Sequence, residues 1–387
     1  MNLPLEDFYA GARDADFLIY NSTIDGELTT IGELCAKNQL FEKEEIELSE
    51  PLAQELLVEI TSTGVCHTDE SARNGTIPTA FPVVLGHEGA GIVRQVGSAV
   101  TDFEVGDHVA LSFGYCGKCK PCVSGKPYAC EMMGPINFAG LHWDGKPRIF
   151  RDGKPIGSFF SQSSFADHVI VNQNSAVKID KDFDLRLAGP LGCGIQTGAG
   201  TVLNCFRPET GTTLAVFGCG AVGMSALMAA RLAGCEKVIA VGGNDTSLSL
   251  ALELGATHII NRKRCNDVSA EIRAITGSGA DFAVETSGVP SMIQTALNSL
   301  NYLGKLAPAG GTHAMGEFML GGKSLVGVTE GYSNPKIFIP QMIAYQQQGR
   351  FPIEKLMKFY SFNQINEAFD DSNSGRTIKA VLVRKDI

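Results

Sequence analysis

No apolar run in the 387-residue sequence reaches the roughly 18 residues that a membrane-spanning helix needs, so no association with a membrane is expected. Basic charge is also scarce: 32 Lys and Arg stand against 42 Asp and Glu, giving a formal charge of −10 and a pI near 5.3. Such a chain has little with which to neutralise phosphates, which argues against nucleic acid or an anionic membrane surface as its main partner. The opening MNLPLEDFYAGARDADFLIY lacks both the basic start and the apolar stretch of a secretory signal, and a cytoplasmic location is expected. Internal repeats and low-complexity tracts are absent. With 44% hydrophobic and 19% charged residues and a mean hydropathy of +0.05, the chain has the proportions of a globular protein and not of a disordered one. Its length exceeds what one compact core usually holds, so two domains are expected.

What the sequence does have is glycine, 44 residues, and cysteine, 11 residues. An odd cysteine count in a chain this long does not read as a disulfide framework. Reduced thiols, some of them holding metal, fit better.

Residues 1–29 show no period and no motif and read as an N-terminal extension. From about 30 to 190 the chain is strand-like, with short β-branched runs at Leu57–Ile60, Val83–Leu85, Gly91–Val96 and His108–Leu111 punctuated by Gly and Pro. It reads as an irregular all-β region. Beyond residue 195 strands alternate with 9–13-residue helices: strands at Thr213–Phe217, Lys237–Val241, His258–Asn261, Asp281–Glu285 and Lys305–Ala307, and helices at Ala221–Ala233, Thr246–Leu254, Val268–Ile275 and Pro290–Asn301. That alternation predicts βαβ units around a parallel sheet. Two further helices, near Pro335–Gln348 and Asn363–Asp371, precede a final strand at Lys379–Val383.

The strand ending at Phe217 runs into Gly218-Cys219-Gly220-Ala221-Val222-Gly223, a G-x-G-x-x-G that opens a helix. Gly218 permits the tight turn, Gly220 lets the backbone approach a pyrophosphate, and Gly223 allows close helix–strand packing. The helix start offers N–H groups to the anion. A carboxylate at the end of the second strand would accept from the ribose 2′-hydroxyl of NAD, but that position, 19 residues past Gly223, is Gly242, followed by Gly243. Two glycines remove a repulsion and make room for a 2′-phosphate, which leans towards NADP. Thr246, Ser247 and Ser249 add hydroxyls nearby, while the nearest basic group, Arg262-Lys263-Arg264, lies one strand further on. The competing reading gives the ribose to Asn244 or Asp245, although Asp245 also reads as the cap of a helix starting at Thr246.

Two cysteine sets carry metal chemistry. Cys116, Cys119, Cys122 and Cys130 fall within 15 residues, with Gly117 and Gly125 easing the turns. Such spacing suits a tetrahedral thiolate zinc with no open position, hence structural; an iron–sulfur cluster or a redox dithiol are the rivals. The second set is dispersed: Cys66 in TGVCHTD, His87 in LGHEGAG and Cys193 in PLGCG. A Cys/His/Cys trio leaves one tetrahedral position for a reacting ligand, as in catalytic zinc sites. Spacing alone does not show that the three converge, and a lone Cys or His is usually a packed residue.

TGVCHTD, FPVVLGHEGAGIV, VGDHVALSF, the four-cysteine run, PLGCGIQTGAG and VFGCGAVG occur in this order, and together they closely resemble the zinc-dependent medium-chain alcohol dehydrogenases from about residue 30 onward. The stretch FFSQSSFADHVI and the ending GRFPIEKLMKFYSFNQINEAFDDSNSGRTIKAVL look most like the aryl- or benzyl-alcohol branch. The resemblance implies an α/β chain with a GroES-like, mostly-β catalytic domain (30–194, completed by 336–387). A Rossmann coenzyme domain (195–335) would be inserted within it, with the active site in the cleft between the two. It implies two zinc ions per chain, Cys66, His87 and Cys193 holding the catalytic one.

Further roles are implied residue by residue. Glu88 would stand behind the zinc ligands or act as a transient fourth ligand, and Asp69 would orient His87. Thr68 would take the alcohol proton, His67 would contact the pyrophosphate, and Thr197 would pack beside the nicotinamide. Zinc polarises the substrate oxygen while hydride passes between substrate carbon and nicotinamide C4. The relay histidine that many relatives carry is here Ser71, Gly242 replaces the branch's usual aspartate, and Ser247 stands where arginine is common. The implied function is interconversion of a small primary alcohol, aromatic or allylic, and its aldehyde with NADP or NAD. An NADPH-driven reduction is favoured if Gly242 does select NADP. A homo-oligomer, dimer or tetramer, is implied too. A non-redox relative of cyclase or isomerase type and a silent cofactor-binding protein are the alternatives, against which the intact ligands and Thr68 argue. Phe81, Phe113 and Phe138 are candidates for an apolar pocket, with ordinary core packing the preferred reading for each.

Overall fold

The computed structural model describes residues 28–308 and 322–384, which divide into two compact units. One takes the described residues up to Cys193 together with those from Met357 onward; the other is Gly194–Leu356. Residues 336–356, expected with the first unit, belong to the second: the helix Pro335–Gln347 packs against the helix Gly194–Gly200 and buries Phe338, Ile339 and Met342 there. The expected extension 1–29 lies outside the described residues except for Leu28 and Thr29, which already begin the strand Leu28–Cys35.

The first unit is built from two sheets. In the seven-stranded sheet the central strand, Glu55–Gly64, pairs antiparallel with Gly89–Val96, His168–Asn172 and Lys379–Val383, and is buried along nearly its whole length. The final strand, Lys379–Val383, thus lies between Glu55–Gly64 and Met357–Ser361. The five-stranded sheet runs Val83–Val84, Leu28–Cys35, Glu42–Leu48, Ile149–Arg151, Lys154–Ile156. Both sheets share a core of Leu56, Val58, Ile60, Leu85, Leu111, Phe165 and their neighbours. The region is not all-β, however. Its short helices include His67–Arg73 and Met133–Phe138, too brief to imprint an apolar period on the sequence.

The second unit is the expected doubly wound fold. Six strands pair in parallel in the order His258–Asn261, Lys237–Gly242, Thr213–Phe217, Ala280–Glu285, Leu300–Pro308, Ser324–Leu325. Numbered within the sheet that order is 3-2-1-4-5-6, the dinucleotide-binding arrangement, whose ligand end lies beyond the carboxyl ends of the strands. Local chemistry sets the helices. Asn244 accepts from Thr246 N at 2.9 Å and caps Asp245–Glu253, so Asn244 and not Asp245 is the cap. Asp267 accepts from Ala270 N at 2.9 Å and caps Val268–Thr276, which Gly277 ends at φ 93°.

Candidate active site: two metal sets and a dinucleotide cradle

The dispersed trio converges in the first unit. One ligand atom each from Cys66, His87, Glu88 and Cys193 lie within 4.8 Å of one another, although the residues come from separate parts of the chain. Cys66 caps the helix His67–Arg73, whereas His87 and Glu88 follow a turn at Gly86, φ 93°, and precede the strand Gly89–Val96. Cys193 follows the turn of 3₁₀ helix Gly189–Gly192, where a Cβ on Gly192 would stand 1.9 Å from Leu111 O. Only glycine lets the backbone bearing Cys193 come so close.

Asp69 ties two of these segments together. It is fully buried; its Oδ2 accepts from Cys66 N at 3.1 Å, and its Oδ1 from Gly86 N at 3.0 Å and pairs with His87 Nδ1 at 2.9 Å. With Nδ1 committed, His87 presents Nε2, which is buried with no hydrogen-bond partner among the described residues. An imidazole held by a carboxylate on one nitrogen and bare on the other is arranged as a metal ligand. Hydrogen bonding from Cys193, then the nearby His87 and Lys379 charges, hold the Cys66 thiol well below its usual range despite burial. Thiolate is the form a metal binds.

Two neighbours of this set could not be placed beside it from the sequence. Lys379 Nζ, buried, donates to Glu88 Oε1 and Oε2 at 2.9 and 2.8 Å and to Val65 O at 3.1 Å. Burial works against its charge, but Glu88 and Cys66 more than offset that and raise its pKa. Glu88 is therefore ion-paired beside the metal set. The second neighbour is the buried turn Ser158–Ser164, where Phe160, Ser161 and Ser163 sit at φ 54°, 47° and 53°. The Phe160 ring stacks on His87 at 4.5 Å and 24°, and Phe159 meets it edge-on at 5.6 Å. Gln162 donates to His87 O at 2.9 Å and Ser112 O at 3.3 Å and accepts from Gly89 N at 3.3 Å. Of the three phenylalanines singled out in the sequence, Phe138 joins this cluster, 5.0 Å from Phe160; Phe113 is buried in the core, and Phe81 packs against it.

His67 is exposed at the first position of its helix; Thr68 Oγ1 lies 3.6 Å from Cys66 Sγ; Ser71 is half-buried one turn further on. Thr197 lies in the helix Gly194–Gly200 of the second unit, half-buried.

The four-cysteine set is local. Cys116, Cys119, Cys122 and Cys130 place their sulfurs within 4.8 Å of one another, and none is in a disulfide. Backbone N–H groups point at the sulfurs: Cys116 N and Met132 N on Cys130 Sγ, both at 3.3 Å, and Cys119 N on Cys116 Sγ at 3.4 Å. Donors converging on four unbridged sulfurs suit thiolates around one cation.

In the second unit the glycine turn opens the helix Ala221–Leu232, with Ala221 and Val222 in its first turn. Gly218 sits at φ 103°, and a Cβ on Gly223 would lie 1.9 Å from Gly218 O. Around Gly220 nothing lies within 4 Å of an added Cβ, so the helix start is open for an approaching anion. A Cβ on Gly242 would meet Cys219 Sγ at 2.9 Å and Leu248 at 3.2 Å. Ser247 is half-buried beyond it, and the Asp245 carboxylate is occupied by Asn261 Nδ2 and Arg264, each at 2.6 Å.

Sheet order, cysteine sets and glycine turn together define a two-domain zinc-binding dehydrogenase. Residues 52–181 match the alcohol dehydrogenase GroES-like domain, and residues 221–343 the zinc-binding dehydrogenase domain. The chain is 41% identical over 349 residues to the geraniol dehydrogenase of Castellaniella defragrans, covering 88% of this chain and 93% of that one. Among solved structures, benzyl alcohol dehydrogenase from Acinetobacter calcoaceticus superposes with a TM-score of 0.89 at 41% identity, over 92% of this chain and 99% of that one. An alcohol dehydrogenase zinc-binding domain protein from Burkholderia ambifaria gives 0.90 at 42%, over 93% and 100%. The chain belongs to the zinc-dependent medium-chain alcohol dehydrogenases, oxidoreductases that interconvert an alcohol and its aldehyde with a nicotinamide cofactor. No described helix is long and apolar enough to cross a membrane.

Proposed function

We propose that this enzyme interconverts a primary aromatic or allylic alcohol and its aldehyde, uses NADP(H), and carries two zinc ions per chain. The observation that carries the reading is His87, clamped by Asp69 at Nδ1, bare at Nε2 and faced by aromatic rings. Cys66 Sγ, His87 Nε2 and Cys193 Sγ would hold the catalytic zinc, with Glu88 beside them as a transient ligand; Cys116, Cys119, Cys122 and Cys130 would hold the structural one. The bound groups supply Lewis acidity towards the substrate oxygen and a hydride acceptor or donor.

The chain's own residues do the rest. Asp69 fixes the imidazole tautomer, and Thr68 Oγ1, near Cys66 Sγ, takes the alcohol proton and passes it towards solvent, with Ser71 as a weaker onward acceptor. The Phe138–Phe159–Phe160 cluster beside the metal set favours a flat, unsaturated substrate, as the names of the geraniol and benzyl alcohol relatives suggest. Gly218, Gly220, Ala221, Val222 and Gly223 receive the pyrophosphate with help from His67, and Thr197 packs at the nicotinamide. Gly242, Gly243 and Ser247 leave room at the ribose 2′-position. NADPH dependence makes aldehyde reduction the physiological direction. None of the eleven cysteines is in a disulfide, the state a reducing compartment maintains, and a cytoplasmic homo-oligomer is the form we expect.

A panel of aryl, allylic and aliphatic aldehydes with NADPH and with NADH, run alongside zinc analysis, tests this. Two zincs per chain, preference for aryl or allylic aldehydes and a lower KM for NADPH are expected. A clear NADH preference would remove the cofactor assignment, and one zinc per chain would remove the catalytic one.

A further inference from the structure

The sequence offers no obvious cation for a 2′-phosphate, because the residues directly after the second strand, Gly242 to Ser249, include no Lys or Arg. Strand register supplies what that segment lacks. Gly242 pairs with Asn261 in the parallel ladder, and Arg262 N donates to Gly242 O at 2.8 Å, so the turn after the third strand sets Arg262 and Lys263 alongside Gly243. A Cβ built on Gly243 would stand 3.2 Å from Lys263 Cε, 3.4 Å from Arg262 Nε and 3.6 Å from an Arg262 terminal nitrogen. Two cationic side chains thus lie across the bare backbone at the carboxyl end of the second strand, the place where the ribose of a dinucleotide is recognised.

The neighbouring charges sort these cations. Arg264 is spent on Asp245 at 2.6 Å, and Asn261 Nδ2 holds the other oxygen of the same carboxylate. Each Asp245 oxygen thus already has a partner, Asn261 on one and Arg264 on the other. Arg262 and Lys263 are exposed and form no ion pair among the described residues. A carboxylate at position 242, which would repel a phosphate, is absent, and Cys219 Sγ occupies the space its Cβ would take. Guanidinium offers a planar fork for phosphate oxygens and ammonium a mobile point charge, so the two are complementary.

We infer that Arg262 and Lys263, presented by the turn after the third strand, recognise the 2′-phosphate of NADP(H) over Gly243. The inference rests on the NADP reading above and assigns residues to it. Calorimetric titration of the zinc-loaded full chain with 2′,5′-ADP and with ADP tests it without any turnover. The wild type is expected to bind 2′,5′-ADP at least ~10-fold more tightly than ADP. The double variant Arg262→Ala/Lys263→Ala should lose that preference while its affinity for ADP stays unchanged, and Arg262→Lys should recover part of it. A wild type that binds both ligands equally would overturn the NADP reading and this assignment together. A double variant that keeps the preference, or that loses affinity for both ligands equally, would overturn the assignment alone and leave the NADP reading standing.

Discussion

The two cysteine sets of the first unit are made in opposite ways. The four-cysteine set is assembled within a 15-residue segment whose turns and backbone N–H groups point inward on their own account. The Cys66/His87/Cys193 set has no such local logic. It depends on a helix cap, a turn and a 3₁₀ segment being brought together by the sheet, and on a shell of Asp69, Gln162, Phe160 and Lys379 to hold it. A self-contained loop is suited to bracing the fold. A set gathered from afar can leave a position open and be oriented from several sides, which is what reaction chemistry requires.

That contrast can be broken by experiment. His87→Ala should lower kcat/KM on the order of 10³-fold or more, the loss of several kcal/mol of charge stabilisation. It should also reduce zinc from two to one per chain and, because Asp69 loses its buried partner, lower the thermal midpoint, but by less than loss of a ligand from the four-cysteine set; an equal or larger drop would erase the distinction. Cys119→Ser should do the reverse, costing more than ~4 kcal/mol of unfolding free energy in urea while the folded fraction stays active. Asp69→Ala should lower activity or zinc affinity about 10–100-fold, in keeping with loss of an outer carboxylate. Gln162→Leu removes the partner of three buried backbone groups and should cost ~1–3 kcal/mol, read as a shift of the urea midpoint. If Gln162→Leu changed nothing, the shell would be packing and not positioning.

The parallel sheet was readable in outline because buried strands and short helices leave distinct periods; Thr213–Phe217 and His258–Asn261 occur within the bounds their residues suggest. Cys66, His87 and Cys193 could be named by resemblance, yet their meeting could not be derived, since convergence depends on pairing between distant strands. Lys379 was hidden for the same reason: it reads as one more residue of a terminal strand until register sets it against Glu88. Phe159, Phe160 and Gln162 stood in plain view within a motif, but nothing in that stretch signals left-handed backbone at three non-glycine positions. At the cofactor end, Arg262 and Lys263 looked remote because sequence distance counts a whole helix between neighbours in a parallel sheet.

The Glu88–Lys379 pair joins residues 291 positions apart. At roughly 5–20 residues per second of synthesis, the carboxylate waits about 15–60 s for its counter-ion to be made. During that interval the strand between Glu55–Gly64 and Met357–Ser361 is also missing. The nascent first unit therefore holds an open sheet edge and an acid without its counter-ion beside Cys66 and His87, whereas Gly194–Leu356 is complete in sequence before Lys379 is added. On the zinc assignment proposed above, an ion entering the Cys66 set before the last strand docks would meet a different electrostatic environment from one entering afterwards.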